Sequence, residues 1–196
     1  MSFRPAVLRL LPLLGLTQCL MQGEGAYPVQ PMPAATQTGA NTAGCFVDGQ
    51  LWVAHYYNTT IGAINPKPVY AWWNNASLGG PILSLNFRKD NADQTLVHHD
   101  TSMQIELPGI TRAGAYVLDL RPSTRGRGPN GYASFTLRKP TPDQEFLADA
   151  QHTGTLVVTR FDTISRVVSG TFEFTARHAA TGTVVRVTEG RFDAAL

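Results

Sequence analysis

Thr171-Phe172-Glu173-Phe174-Thr175-Ala176 sets a bulky apolar or small side chain at every second position and a polar one between. In extended backbone successive side chains point to opposite faces, so Phe172 and Phe174 line one face and Thr171, Glu173 and Thr175 the other. The same stretch read as a helix scatters those residues around the axis. It therefore predicts a half-buried strand, running over Arg166–Ala176. Downstream, Thr181-Gly182 reads as a turn, and Val185 and Val187 line one face of Thr183–Thr188. Glu189-Gly190 is read as a break before Arg191-Phe192-Asp193-Ala194, with Phe192 inward. Arg191 and Asp193 share the other face and read as ordinary edge-strand charges.

The pattern repeats towards the N-terminus. Thr155–Phe161 reads as a strand, and Phe135 and Leu137 alternate with Ser134 and Thr136. Tyr116–Leu120, then Met103, Ile105 and Leu107, then Leu83, Leu85 and Phe87 repeat the period of two. Val69-Tyr70-Ala71-Trp72-Trp73 ends at Asn74-Asn75. Cys45-Phe46-Val47 faces Gln50-Leu51-Trp52-Val53 across Asp48-Gly49, a pair suited to a type I′ hairpin turn with positive φ at both positions. One segment looks helical: Pro142–Ala150, with Thr141 as cap and Phe146 and Leu147 in its centre. About nine strands and at most one short helix predict an all-β fold, an antiparallel β-sandwich or a strongly curved sheet.

The chain has 196 residues and a formal charge of +2. Arg4 and Arg9 fall within residues 1–18, which hold no acid. Without that segment, 14 basic residues face 14 acidic ones. A nucleic-acid partner wants a basic excess to neutralise phosphates, so none is expected. Leu10-Leu11-Pro12-Leu13-Leu14-Gly15-Leu16 is too short to span a bilayer and fits the apolar region of a signal peptide over residues 1–18. Leu16-Thr17-Gln18-Cys19 resembles a bacterial lipobox, with Gln18 where a small residue is usual. That resemblance implies lipid attachment at Cys19, a membrane partner through the anchor and a place in the cell envelope. Residues 19–42, rich in Pro, Gly, Ala, Thr and Gln, read as a flexible tether, and 43–196 as a single domain.

The second cysteine, Cys45, is expected as a small buried apolar side chain. Acylation of Cys19 leaves it no intrachain partner; a Cys19–Cys45 bridge is the alternative without lipidation.

Thr38-Gly39-Ala40-Asn41-Thr42-Ala43-Gly44-Cys45-Phe46-Val47-Asp48-Gly49-Gln50-Leu51-Trp52 resembles the opening of a family of uncharacterised small Bacteroidetes envelope lipoproteins. Ser169-Gly170-Thr171-Phe172-Glu173-Phe174-Thr175-Ala176 and Val185-Arg186-Val187-Thr188-Glu189-Gly190-Arg191-Phe192-Asp193 resemble its close. The resemblance implies a β-rich envelope lipoprotein and carries no functional residue.

Three groups hold chemistry. Tyr70, Trp72 and Trp73 form an aromatic run. Adjacent Trp72 and Trp73 must face opposite ways in a regular strand, leaving one to stack on a sugar or a partner. Arg125 and Arg127 sit in the Gly-rich stretch 123–131 and join Tyr70, Trp72 and Trp73 as a candidate ligand surface. His98, His99 and Asp100 are weak candidates for a metal site, since neighbours on a strand diverge and no second ligand pair has metal spacing. No catalytic set and no cofactor motif appears. The expectation is a non-enzymatic, envelope-anchored structural or binding module with an unknown protein or glycan ligand. The alternatives are an extracytoplasmic hydrolase or metal-dependent enzyme using the His98/His99 region, and a glycan- or lipid-binding β-sandwich.

Overall fold

A computed structural model describes residues 30–56, 67–74, 80–90, 100–120, 130–138 and 142–196. Asp48 and Gly49 have φ of 49° and 79°, the two positive values a type I′ turn needs. They join β1 (Thr42–Val47) to β2 (Gln50–Val53), with Val47 opposite Gln50. The following strands are β3 (His55–Tyr56), β4 (Val69–Asn74), β5 (Ile82–Asp90) and β6 (Thr101–Pro108). Then come β7 (Gly114–Leu118), β8 (Tyr132–Leu137), β9 (Gln144–Leu147), β10 (Gly154–Asp162), β11 (Val167–His178) and β12 (Val184–Ala195). Twelve described strands replace the nine expected, and there is no helix among the described residues.

All twelve strands belong to one nearly closed, curved sheet. Every pairing is antiparallel except β3 with β5. One half runs β2-β1-β12-β11-β10-β7, and the other runs β9-β8-β6-β5-β4. The end of β11 also pairs with β9, through Arg177 opposite Leu147, and this joins the halves.

The inner faces close on one apolar core. Phe87 of β5 stacks on Phe172 of β11 at 5.4 Å between ring centres and meets Phe192 of β12 at 5.9 Å. Leu83, Leu85, Met103, Ile105 and Leu107 fill the same layer, as their alternation requires. At one end Trp52 of β2 donates its indole N–H to the hydroxyl of buried Thr101 on β6 at 2.7 Å. Trp73 packs edge-on against Phe161 of β10 at 5.8 Å.

Three expectations change. Pro142–Ala150 is not helical: Gln144–Leu147 is β9, which pairs with β8 and β11 and puts Phe146 into the core against Phe135. Two strands offering edges outweigh a weak local helix start. Glu189-Gly190 does not end a strand. β12 runs through it with one extra residue against both neighbours, a bulge in which Glu189 has φ 52°. Gly190 is needed there because the Phe172 ring lies 2.5 Å from where a Cβ would stand.

The third change concerns Arg191, Asp193 and the chain before Ala43. β12 is a central strand, paired with β1 and β11, so these charges are not on an edge. Asp193 is 1% exposed. The described part of the expected tether, residues 30–42, is bound to the domain rather than free. Asp193 accepts hydrogen bonds from the hydroxyls of Thr36 and Thr38 and from the backbone N–H groups of Thr38, Gly39 and Ala40. Arg160 donates to the carbonyl of Gln37, and Arg191 donates to that of Pro33. Met32 and Pro33 lie so close to Gly44 that a Cβ there would come within 3 Å of both. The folded body therefore begins before Ala43.

Candidate functional site

The outer face of the half built from β4, β5, β6, β8 and β9 carries the exposed aromatics. Register fixes which side chains share it, because directly paired residues project to the same side. Trp72 stands opposite Ser84, which faces Glu106, which faces Tyr132. Tyr70 stands opposite Asn86, followed across the strands by Gln104, Ser134 and Leu147. A third row runs Arg88, Ser102, Thr136 and Glu145. The alternation that buries Leu83, Leu85 and Phe87 thus builds a polar ladder on the reverse side of the same strands.

This outer face is indented rather than smooth. A cleft of about 440 Å³ lies along it, lined among others by Asn86, Arg88, Ser102, Gln104, Thr136 and Glu145. Tyr70, whose strand partner Asn86 lines the cleft, is 55% exposed, and Trp72, two positions further along β4, is 42% exposed. Neighbours order the polar groups. Asn86 donates to the Ser84 hydroxyl at 3.2 Å, and Gln104 donates to the Glu106 carboxylate at 3.0 Å. Arg88 pairs with Asp90 at 2.6 Å and lies over the Tyr56 ring at 5.6 Å. Burial raises the Tyr132 phenol above its ordinary range, and the carboxylates of Glu106 and Glu145 add to the rise. That hydroxyl is therefore a neutral donor and acceptor at physiological pH.

Of the sequence-derived candidates, the structure brings Tyr70 and Trp72 together on this face. It sends Trp73 inward, half-buried against Phe161. The indole N–H of Trp73 is buried with no hydrogen-bond partner among the described residues. Arg125 and Arg127 lie outside the described residues. The base of their loop is pinned where Asn130 donates to Asp119 at 2.9 Å and the Gly131 carbonyl accepts from Asp119 and Leu120.

Cys19, His98 and His99 also lie outside the described residues. Asp100 interacts with Asp90, whose carboxyl is pushed up by burial and then by its hydrogen bond with Asp100, against the pull of Arg88. Among the described residues no group of three or more His, Cys, Asp or Glu is placed to hold a metal ion. Cys45 is fully buried, with Sγ 3.8 Å from the Met103 sulfur, and burial pushes its thiol up to about 12. Its role is packing, as expected.

Sequence reasoning missed Ser84, Asn86, Gln104 and Glu106 as site residues. Each was visible as the polar partner in an alternating run, but which runs lie side by side is a matter of strand order. It also missed Asp193 as a buried acceptor, since its partners are more than 150 positions away.

Fold and cleft together define an all-β protein in which, among the described residues, no segment lies over the outer face of one half of the curved sheet. Comparison with family models, curated proteins and solved structures returned no match.

Proposed function

We propose that this protein is a non-enzymatic binding module, exported and held at a membrane of the cell envelope by lipid on Cys19. Its binding surface is the outer face of β4, β5, β6, β8 and β9. The observation that carries this reading is the open polar ladder flanked by exposed Tyr70 and Trp72. Large aromatic faces left in water beside ordered hydrogen-bonding groups mark a recognition surface more than a solvated one. The export half of the proposal rests on the leader and on the lipobox-like Leu16-Thr17-Gln18-Cys19. The likeness to small Bacteroidetes envelope lipoproteins in the opening and closing motifs agrees with it. Residues 32–41 lie over the other half of the sheet.

Two measurements test the proposal. Metabolic labelling with a fatty-acid analogue should mark the native chain and not Cys19→Ala; equal labelling of both removes the anchor. A photo-crosslinking residue at position 72 should give specific adducts in cells. The same residue at position 164, where Ile164 is 95% exposed in the turn between β10 and β11, should not. Adducts at 164 alone would remove the proposed surface.

A further inference from the structure

The rows that make the cleft also indicate what fits it, provided that the cleft is the binding surface proposed above. We infer that this face takes a neutral glycan, with sugar rings stacked on Trp72 and Tyr70 along β4 and hydroxyls bonded to the polar rows that run from them across the sheet.

Three features support a glycan. A pyranose ring has a C–H face that packs on an aromatic ring and a rim of hydroxyls, each both donor and acceptor. The cleft offers the same combination. Tyr70 and Trp72 project from one face of β4 two residues apart, about 7 Å along the strand. Beside them lie Asn86, Ser102, Gln104 and Thr136, whose hydroxyl and amide groups also donate and accept. Second, the five strands from β4 to β9 span about 19 Å, which suits an extended oligosaccharide better than a single ring. Third, the charge around the cleft disfavours anions. Glu106, Asp143 and Glu145 line it or pair across it, against Arg88 and Arg138, and Arg88 is already held by Asp90. A polyanion meets net repulsion there. A lipid tail needs an apolar pocket, and this floor is polar. A peptide joining as a strand would pair with an edge such as that of β4 and leave the polar rows of this face unused.

The test is affinity gel electrophoresis of the mature chain, kept unacylated by Cys19→Ala. The gels contain galactomannan, xyloglucan, dextran or mixed-linkage glucan, with polygalacturonate as the anionic counterpart. At least one neutral polymer should retard the protein. Trp72→Ala should weaken that retardation about tenfold, the scale of one lost stacking contact. Trp72→Phe should keep part of it, and Gln104→Ala should weaken it without touching an aromatic. An unchanged melting temperature for Trp72→Ala shows that the loss is not unfolding. The inference is overturned if none of the four neutral polymers retards the chain, if Trp72→Ala runs as the parent does, or if polygalacturonate retards it most. Failure of the glycan and failure of the surface are separable. Adducts to a protein at position 72 with no retardation overturn the glycan alone, and no adducts at 72 with no retardation remove both.

Discussion

The two outer faces of the curved sheet are built alike and finished differently. Both are the polar side of alternating strands whose other side fills the core. On β1, β12 and β11 that side is roofed by the chain's own residues 32–41, and Asp193 and Ser169 end up 1% exposed beneath them. On β4, β5, β6, β8 and β9 no described segment lies over it, and Tyr70 and Trp72 stay in water. The roofed face keeps parts open, among them a depression of about 470 Å³ beside Ala35 lined by Thr155, Val157, Thr171, Glu173 and Arg191. That depression lacks an aromatic ring standing over a hydrogen-bonding ladder. The contrast teaches that the polar side of an alternating strand acquires a structural role where the chain covers it and stays accessible to solvent where no described segment does.

Substitutions can break or sharpen that contrast, and the largest effect is expected where the two halves meet. Phe87→Ala removes the ring that touches both Phe172 and Phe192. It should cost about 3–5 kcal/mol in urea unfolding, because a buried aromatic is lost and a cavity stays. A cost below about 1 kcal/mol would mean that the halves do not close on each other.

Next comes the roof. Asp193→Ala leaves the N–H groups of Thr38, Gly39 and Ala40 without their acceptor and should cost about 2–3 kcal/mol. It should also free residues 32–41, seen as new protease cleavage between them. Gly44→Val should displace Met32 and Pro33 in the same way, with Asp193 intact.

Acid should act on the same clasp. Burial opposes the charge of Asp193, and the hydrogen bonds from Thr36, Thr38, Gly39 and Ala40 outweigh it, so the carboxyl sits below its ordinary range in the folded state. A depressed folded value means that the stabilisation is full above the unfolded value near 3.9 and is lost as pH falls through the lower folded one. Urea midpoints taken from pH 5 downward should fall for the parent and fall less for Asp193→Asn. Parallel curves would remove this role for Asp193.

A smaller loss is expected from Trp52→Phe, which strands the buried Thr101 hydroxyl at the end of the core. About 1–2 kcal/mol should go, read as a lower urea midpoint at unchanged slope. Smallest of all is Trp72→Ala. Its stability should change by less than about 0.5 kcal/mol, because an exposed ring is removed from a face that no described segment covers. A large loss there would show Trp72 to be structural and would erase the difference between the faces.

How much of this was legible follows from range. Period-two alternation exposed the core, so Leu83, Leu85, Phe87, Ile105, Phe172 and Val187 are buried as their spacing requires. The Asp48-Gly49 turn was legible because its geometry needs only two residues. Opposite placement of Trp72 and Trp73 followed from strand geometry alone. Strand order did not follow, since nothing local in Asn86 or Gln104 says that Tyr70 lies beside them. The short strand β9 was hidden because Pro142-Asp143-Gln144-Glu145 satisfies a helix start locally and only the neighbouring edges decide otherwise. Asp193 looked like an edge charge because its partners come from the first quarter of the chain, in a stretch whose composition resembles a linker.

The most direct test of the difference between the faces is hydroxyl-radical footprinting of the mature chain, read by residue. Tyr70 and Trp72 should oxidise at rates close to those of the unfolded chain. Trp52 should be strongly protected, and Met32 should be protected in the parent and fast in Asp193→Ala. If Trp72 is as protected as Trp52, or Met32 oxidises in the parent as fast as in urea, the division into a roofed face and an open one is contradicted.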